Sequence, residues 1–449
     1  MPYRYVIVGI TAVAALWLYI DRVCFSTLAD PIQKDVGITD EQKSYMLGAF
    51  FFTYALFQIP IGAMADRFGA RAVLTVSIAG WSLVTAATGL ADSFAALLAI
   101  RLMLGVTESG AYPAAAGLIK NWAKPSERGR FSSIVALGGR IGGFLAPLLT
   151  AWLAVNLAGI GPSAWIGNVS GVNWRGVLLL YGLCGLAVAV LLWLMVRDRP
   201  PSLPAVSEPV AVPDTAGEWH AMPSGPGAST QAPPTFVQSL GSLIRSRNMW
   251  FFGALQFGVN LGWAFLVTLF PSYLKEVFGL PLEQIGLMQT VVLGIGCLGM
   301  ITGGVVTDML RKKLGPKLGR SVPIGIALGG CACALFLVPV LPSAWLVVIV
   351  LGMMAFLVDM HNPSIWSFAQ DVGGKNVGAA LGFGNMWGNL GAALSPVLLM
   401  AVKNAVGWDV VFVVGGTAFA VAAACGLMLD ATKPIEPETR NEPEARATG

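Results

Sequence analysis

The sequence predicts an all-α polytopic membrane protein with twelve transmembrane helices, arranged as two bundles of six. The first observation is the composition: 55% of the 449 residues are hydrophobic, only 12% are charged, and the mean hydropathy is +0.70. A soluble domain carries about 25% charged residues, so this chain has too little polar surface to cover itself in water. The other two observations are the number of apolar runs and a proline-rich stretch that divides them six and six.

Each apolar run is long enough to cross a bilayer, which takes roughly 20 mostly apolar residues. The six runs of the first half lie near residues 5–27, 45–65, 72–91, 95–120, 131–156 and 174–196. The six runs of the second half lie near residues 249–274, 284–307, 321–341, 344–368, 377–401 and 409–430.

The stretch between the two sets is rich in Pro, Ser and Ala, a composition that cannot bury a core. We therefore expect four regions along the chain. They are a six-helix bundle over 1–196, a flexible cytoplasmic linker over 197–247, a second six-helix bundle over 248–430, and a disordered cytoplasmic tail over 431–449.

The distribution of Lys and Arg predicts the orientation, because cytoplasmic loops carry an excess of both residues. With both termini in the cytoplasm, 20 of the 28 basic residues are inside, 5 are outside and 3 lie within spans. The opposite orientation would reverse this ratio, so we expect both termini to be cytoplasmic. Short loops and the lack of a targeting extension are typical of a bacterial inner-membrane protein.

One motif occurs in both halves. Gly62-x-x-x-Asp66-Arg67-x-Gly69-x-Arg71 follows the second run, and Gly303-Gly304-x-x-x-Asp308 with a basic cluster follows the eighth. A glycine lets two helices approach closely, and an aspartate can hold a helix N-terminus through the helix dipole. Arg67 and Arg71 can bond across the cytoplasmic face, although a generic basic turn is the alternative.

This motif resembles the loop signature of the major facilitator superfamily. The resemblance implies the major facilitator fold, with duplicated halves and a substrate site between them at mid-membrane. It also implies that the cluster latches one conformation of the transporter. The residues of this predicted latch are Gly62, Asp66, Arg67, Gly69, Arg71 and Asp308.

A narrower resemblance covers nearly the whole chain outside the linker and the tail. Its motifs are Tyr19-Ile-Asp21-Arg22, Arg101-x6-Glu108-Ser-Gly-x-Tyr112-Pro113, Gln370-Asp371 and Phe383-Gly-Asn385-Met-Trp-Gly388-Asn389-Leu. The chain resembles the anion:cation symporter family, in particular bacterial hexuronate and galactonate proton symporters, and more distantly sialin and the vesicular glutamate transporters. The resemblance implies that Arg22 binds the substrate carboxylate, that Asp21 takes part in proton coupling and that Glu108 is the proton site.

Charged residues within the spans carry the chemical argument, because a charge at the bilayer centre costs at least about 2.5 kcal/mol. The guanidinium of Arg22 can grip a carboxylate through two hydrogen bonds. The adjacent Asp21 points about 100° away on a helix, so the alternative of a simple Asp21–Arg22 pair is disfavoured. Arg101 and Glu108 share one face of the fourth helix. Glu108 can exchange a proton there, or it can form a static salt bridge to Arg101 or Arg22.

Further polar residues are candidates for substrate contact. Arg140 departs from the family pattern, and it is either a second anchor for a diacid or a partner of Asp359 or Glu108. The internal repeat aligns Arg140 with Asn389, and Asn385 lies one turn earlier on the same helix face. Amides offer both donors and acceptors for a hydroxylated ligand, although interhelical bonding is the alternative. Tyr54 in the second run can bond to or stack on a sugar acid.

Weaker candidates lie in the seventh and tenth runs. His361 has a side chain suited to proton relay, but a lone intramembrane histidine is equally well a helix–helix hydrogen bonder. Asp359 precedes it by two residues, and Trp263 lies in the seventh run. Aromatic residues in spans are more often packing residues than ligand contacts.

Several function classes lack support. No nucleophile and base occur at a recognisable spacing, no phosphate-binding Gly-x4-Gly-Lys motif is present, and no group of residues forms a metal-ligand pattern. A net charge of +4 does not imply nucleic acid. We therefore expect a protein that is not an enzyme and has no cofactor or metal. Its partners are a small carboxylate and the lipid bilayer, and it functions as a monomer.

The sequence thus predicts proton-coupled import of an organic carboxylate by alternating access. A sugar acid such as a hexuronate, an aldonate or an aldarate is the favoured substrate. The seventh run has no arginine, unlike the organophosphate exchangers of the superfamily, which favours a carboxylate over a phosphate ester. Alternatives left open are an aromatic or dicarboxylic acid, sodium as the coupling ion, a drug exporter and a transport-inactive sensor.

Overall fold

The computed structural model describes residues 3–160, 172–199, 212–213, 219–220 and 236–435. Its regular structure is almost entirely helical. In the first half the helices are α1 (Tyr3–Val36), α2 (Asp40–Phe68), α3 (Ala70–Thr88), α4 (Phe94–Glu108), α5 (Ala111–Trp122), α6 (Arg128–Asn156) and α7 (Trp174–Met195).

The second half begins with a short helix and continues with long ones. Its helices are α8 (Phe236–Arg245), α9 (Arg247–Thr268), α10 (Phe270–Phe278), α11 (Leu282–Leu337), α12 (Ala344–Val372), α13 (Val377–Val406) and α14 (Trp408–Leu427), with a 3-10 turn at Val338–Val340. Between the halves, β1 (Val212–Pro213) pairs antiparallel with β2 (Trp219–His220), in the register Val212 to His220.

Local sequence explains where several helices begin. Thr39 caps α2 with a reciprocal bond to Gln42, the capping-box arrangement. Ser93 caps α4 and Ser343 caps α12 with a single bond, each side chain accepting a hydrogen bond from the backbone N–H three residues on. Gly69 separates α2 from α3 with φ at +96°, a conformation that favours glycine.

Eleven stretches of the described residues are long and apolar enough to cross a membrane. The longest, residues 284–340, has 57 residues and is not one straight helix. Gly315 inside it has φ 75° and ψ −178°, so α11 consists of two arms joined at this glycine. By contrast, α4 and α5 follow each other closely enough that residues 94–122 count as one stretch.

Glycines set the closest helix contacts within each half. A Cβ atom on Gly142 of α6 would lie 2.2 Å from the carbonyl oxygen of Leu16 in α1. A Cβ atom on Gly391 of α13 would lie 2.4 Å from the carbonyl oxygen of Phe257 in α9. The internal repeat that aligns Arg140 with Asn389 also aligns these two glycines. The same close approach of two helix backbones therefore occurs once in each half.

The two halves meet along several helix pairs, of which α2 with α13 and α6 with α11 are the most extensive. At the first pair, a Cβ atom on Gly62 would lie 2.4 Å from the carbonyl oxygen of Gly378. At the second, a Cβ atom on Gly304 would lie 2.2 Å from the hydroxyl of Ser133. Both contacts lie at the end of the molecule that holds the α2–α3 turn, which we call the latch end.

The predicted linker and tail differ from the structure at their edges. Residues 236–245, which composition places in the linker, form α8, with Leu243 buried and the Ser239 hydroxyl bonded to Asn376 at 2.7 Å. Apolar residues recur there at helical spacing, which composition alone overlooks. Ile435 in the predicted tail is buried, and its backbone N–H donates to the carbonyl of Val372. Residues 436–449 and most of 200–235 lie outside the described residues.

The glycine contact between α1 and α6 predicts a stability effect. Replacing Gly142 with Ala places a Cβ atom against the Leu16 carbonyl, so the helices must separate, at a cost of about 1–3 kcal/mol. Thermal unfolding in detergent, followed by tryptophan fluorescence, should show a lower midpoint. Gly9→Ala is the control, because a Cβ atom on Gly9 meets nothing within 4 Å. Equal midpoints for the two variants would contradict this packing.

Candidate functional site

Arg22 lies in the middle of α1 among three aromatic rings. Its guanidinium carbon is 4.5 Å from the ring centre of Tyr54, 5.1 Å from Phe50 and 5.2 Å from Tyr19. The side chain is 15% exposed. Aromatic faces attract a cation most strongly where water is excluded, so these rings fix the guanidinium in place without neutralising it.

The neutralising group is Glu108 of α4. Its Oε2 atom accepts hydrogen bonds from Nη2 of Arg22 at 2.8 Å and from Nε at 3.0 Å. The Glu108 side chain is completely buried, and its second oxygen has no hydrogen-bond partner among the described residues. Of the two alternatives for this carboxylate, the ion pair with Arg22 is therefore present in this conformation. The residue expected to bind a substrate acid holds a protein carboxylate instead.

Asp21 does not contact Arg22, in line with the angle between neighbours on a helix. It is 1% exposed and lies beside Trp81 of α3. Neither of its carboxylate oxygens has a hydrogen-bond partner among the described residues. Asp21 and Glu108 are close enough to interact electrostatically, so the first half buries two acidic groups close together.

Arg101 is buried on the same face of α4 as Glu108, but no hydrogen bond joins them in the described structure. Its Nε atom donates to the backbone carbonyl of Met46 at 3.4 Å. Its guanidinium carbon lies 4.1 Å from the ring centre of Phe25 and 5.1 Å from that of Phe50. Phe50 thus lies against both Arg101 and Arg22. Arg101 supplies positive charge near Glu108 without forming its salt bridge.

Arg140 of α6 bonds to Asp359 of α12, so this ion pair joins the two halves of the chain. The Arg140 side chain is 29% exposed, whereas Asp359 is 2% exposed. The ring of Trp263 lies 5.3 Å from the Arg140 guanidinium carbon, and Asn362 donates to Asp359 at 3.4 Å. Two of the weaker candidates, Asp359 and Trp263, therefore meet at Arg140.

An aromatic group connects these two arginine centres. The ring centres of Tyr19 and Tyr112 are 6.4 Å apart, and Tyr112 meets Trp366 of α12 at 5.0 Å. Gly139, next to Arg140, leaves room for both tyrosines, because a Cβ atom there would lie 2.6 Å from the Tyr112 hydroxyl. Sequence reasoning gave Tyr112 no role, although it stands inside the quoted motif of the fourth run.

The remaining candidates do not join this group. The side-chain amide of Asn389 donates to the backbone carbonyl of Asn385 at 2.8 Å, within α13. His361 is 1% exposed, and its Nδ1 atom bonds to the carbonyl of Val358 one turn earlier in its own helix. Its Nε2 atom has no partner among the described residues. This contact lies within α12 and joins no second helix, so it corresponds to neither of the two alternatives.

At the latch end, two aspartates hold helix N-termini of the opposite half. Asp66 of α2 accepts hydrogen bonds from the backbone N–H groups of Gly378 and Ala379, at 2.8 and 2.9 Å, where α13 begins. Asp308 of α11 accepts from Gly129 and Arg130, at 2.9 and 3.0 Å, where α6 begins. Each carboxylate satisfies free N–H groups and faces the positive end of a helix dipole.

The arginines of the motif do not cross between the halves. Arg71 donates to the backbone carbonyl of Trp193 and, through its own backbone N–H, to Asp198 at 2.8 Å. Arg67 lies over the ring of the adjacent Phe68. Arg71 therefore bonds across this face to α7 of its own half, whereas Arg67 does not reach across it in the described structure. The carbonyl of Trp193 lies in the last turn of α7, where it has no partner within the helix, and Arg71 satisfies it.

Other charged residues form the ion pair that joins the two halves at the latch end. Asp371 of α12 accepts from Arg128 of α6 at 2.6 Å and from Arg320 of α11 at 2.9 Å. Arg311 lies 3.8 Å from the same carboxylate. Sequence reasoning missed this cluster, although Gln370-Asp371 belongs to a quoted motif. Three arginines that lie outside the apolar runs converge on one carboxylate only in the folded chain.

Comparisons with known proteins fit this architecture. A family model described as Major Facilitator Superfamily matches residues 11–396. A probable sulfoacetate transporter of Cupriavidus necator is 29% identical, with 99% of this chain and 97% of that protein covered. A probable galactarate/D-glucarate transporter of Bacillus subtilis is 27% identical, with 87% and 83% covered. The hexuronate transporter of the same species is 25% identical, with 85% and 83% covered.

Solved structures support the fold. The fucose:proton symporter of E. coli superposes with a TM-score of 0.67 at 16% identity, covering 96% of this chain and all of that one. A human organic anion transporter superposes with a TM-score of 0.64 at 16% identity, covering 95% of this chain and all of that one. At this level of identity the likeness concerns the fold alone.

The latch geometry predicts a local change in dynamics. Asp66→Asn removes the charge that faces the start of α13, a contact worth up to about 2 kcal/mol where it is partly buried. Hydrogen–deuterium exchange should become faster, by up to about 30-fold, at residues 377–382. Asp92→Asn, at an exposed aspartate, is the control. Unchanged exchange in the Asp66 variant would mean that its carboxylate does not hold the helix.

Proposed function

This chain belongs to the major facilitator superfamily, and we propose that it imports an organic carboxylate, most suitably a sugar acid, by proton-coupled alternating access. One observation carries the proposal: the buried pair of Arg22 and Glu108, surrounded by aromatic rings. A guanidinium in this setting recognises a carboxylate. Relatives described as sulfoacetate, galactarate and hexuronate transporters support an acidic substrate.

Coupling follows from competition for one arginine. A buried guanidinium without a counter-ion is strongly disfavoured, so Arg22 needs a carboxylate in every state. Protonation of Glu108 removes its charge and leaves Arg22 to the substrate carboxylate. Loss of that proton on the other side of the membrane returns Glu108 to Arg22 and expels the substrate. Asp21 acts as a second proton acceptor, and Arg101 keeps positive charge beside Glu108.

The architecture proposed is twelve spans in two bundles, 1–196 and 248–430. Counting α11 as two spans on either side of Gly315 gives this number. Both termini and the latch end face the cytoplasm of a bacterial inner membrane. The described conformation is then closed on the cytoplasmic side, and substrate reaches Arg22 from outside.

Substrate contacts beyond the carboxylate come from both halves. Tyr54 lies against Arg22 and can meet the substrate chain next to its acid group. Asn385 and Asn389 of α13 supply amide groups to substrate hydroxyls once the halves move. The halves rock about this site, which requires the contacts of Asp66, Asp308 and Asp371 to break. A single chain contains all of these parts, so the proposed unit is a monomer.

Two buried arginines argue against the drug-exporter alternative. A cavity that takes lipophilic drugs is wide and apolar, whereas Arg22 and Arg140 place two cations in the central region.

The coupling ion is tested directly by imposing a proton or a sodium gradient across the membrane of the same vesicles.

The test is uptake of radiolabelled galactonate, galactarate and a hexuronate into proteoliposomes, with and without an inward proton gradient. We expect the gradient to drive accumulation of at least one acid. Glu108→Gln should abolish accumulation but keep exchange, because a neutral amide imitates the protonated carboxyl permanently. Arg175→Gln is the control, since the hydrogen bonds of Arg175 in the described structure go to the backbone carbonyls of Gly89 and Ala91.

Arg22 has its own predicted outcome in that assay. Arg22→Ala removes the charged partner of the substrate, and losses of 2–5 kcal/mol are usual for such a contact. Both accumulation and exchange should therefore fall by at least about 30-fold. If accumulation follows a sodium gradient instead of a proton gradient, sodium is the coupling ion. Normal exchange by Arg22→Ala would contradict the assignment of Arg22.

A further inference from the structure

Arg140 resembles Arg22 in its surroundings but differs from it in two ways. Each arginine has a carboxylate partner and lies against aromatic groups: Glu108 and three rings that include Tyr54 for Arg22, and Asp359 and Trp263 for Arg140. Glu108 belongs to the same half as its arginine, but Asp359 belongs to the opposite half. The Arg140 side chain is also the more exposed of the two, at 29% against 15%. A ligand at the meeting of the halves can therefore approach it.

The two arginines flank one aromatic pair. Tyr19 lies 5.2 Å from Arg22, measured from the guanidinium carbon to the ring centre. The same ring fills the space in front of Gly139 and Gly143, where added Cβ atoms would lie 2.9 and 3.3 Å from it. These glycines stand on either side of Arg140 in α6. The Tyr19 ring also interacts electrostatically with Arg140, so one small molecule beside this ring is placed to reach both guanidinium groups.

The position of Asp359 makes a purely static bridge hard to reconcile with transport. When the halves rock, α12 moves relative to α6, and the Arg140–Asp359 pair must stretch or break. An unpaired buried arginine costs several kcal/mol. An acid group carried by the substrate, already held by Arg22 in the same half, replaces Asp359 without that cost.

We propose that Arg140 is a second anion-binding residue and that the preferred substrate is a dianion, with one acid group on Arg22 and the other on Arg140. This inference rests on the proposed import of a carboxylate and specifies its substrate class. The six charged side chains of the central region, Asp21, Arg22, Arg101, Glu108, Arg140 and Asp359, sum to zero. A dianion adds two negative charges, which protonation of Glu108 and Asp359 offsets.

The surroundings of Asp359 agree with this exchange. Arg140 is its ion-pair partner and Asn362 donates to it. The other titratable groups that interact with it are the thiols of Cys297 and Cys331. These thiols are neutral near pH 7, so Arg140 is the cation that Asp359 shields, and a protonated Asp359 leaves Arg140 available.

Matched acids test the proposal through equilibrium binding to the full-length protein in nanodiscs. Galactarate and galactonate share one hydroxylated six-carbon chain and differ only in the terminal group, a carboxylate against an alcohol. Sulfoacetate and glycolate form the corresponding short pair. We expect the dianion of one pair to bind at least about 10-fold more tightly than its monoanion, because one charged hydrogen bond is added.

Two variants distinguish an anion site from a structural bridge. Arg140→Gln should remove the preference for the dianion and leave binding of the monoanion within about 2-fold of wild type. Asp359→Asn should keep or increase the preference, because Arg140 loses its competitor. The double variant Arg140→Gln/Asp359→Asn leaves no buried charge unpaired, and it should behave like Arg140→Gln if the single variant folds poorly.

Each other outcome overturns a specific statement. Equal binding of dianion and monoanion within both pairs to wild type, or equal losses in Arg140→Gln and Asp359→Asn, would make the bridge structural and refute the dianion proposal. Monoanion binding that still depends on Arg22 would leave carboxylate import standing in that case. If none of the four acids binds, both proposals are wrong.

Discussion

A guanidinium group enclosed in the middle of a membrane protein is costly without a counter-ion, and the surroundings of Arg22 are organised around that constraint. Aromatic rings surround Arg22 and hold it in place, but they do not neutralise it. A carboxylate must do so, and Glu108 does in the described conformation. The choice between a protein carboxylate and a substrate carboxylate is what links proton uptake to substrate binding in the proposed cycle.

The same kind of interaction holds the latch end, but with backbone dipoles in place of arginines. Asp66 and Asp308 each bind the N-terminus of a helix from the opposite half. The two contacts arise from one duplicated motif, so closing one side of the molecule closes both helix pairs together. The charged residues of the central region and those of the latch end therefore lie on the same two rigid halves. Helices α6 and α13 run from one region to the other.

The sequence predicted most of what depends on local pattern. Apolar runs located the helices, and the repeated motif located the close glycine contacts of Gly62 and Gly304. The sequence could not predict which distant residues pair with each other. Arg140 had three possible partners, and only the folded chain selects Asp359. The convergence of Arg128, Arg311 and Arg320 on Asp371 likewise needs four helices in place. α8 was missed because its short apolar pattern lies inside a proline-rich stretch.

The closest contacts between the halves have a consequence for insulation. At Gly62 and Gly378 the backbones touch, and at Gly304 the Ser133 side chain fills the space that a Cβ atom would take. Protons cross proteins along chains of water, and such a contact leaves no width for one. A symporter that takes up protons at mid-membrane wastes the gradient if they drain away without substrate. Because these glycines have no side chain, the two halves pack closely enough to separate two compartments that differ in proton concentration.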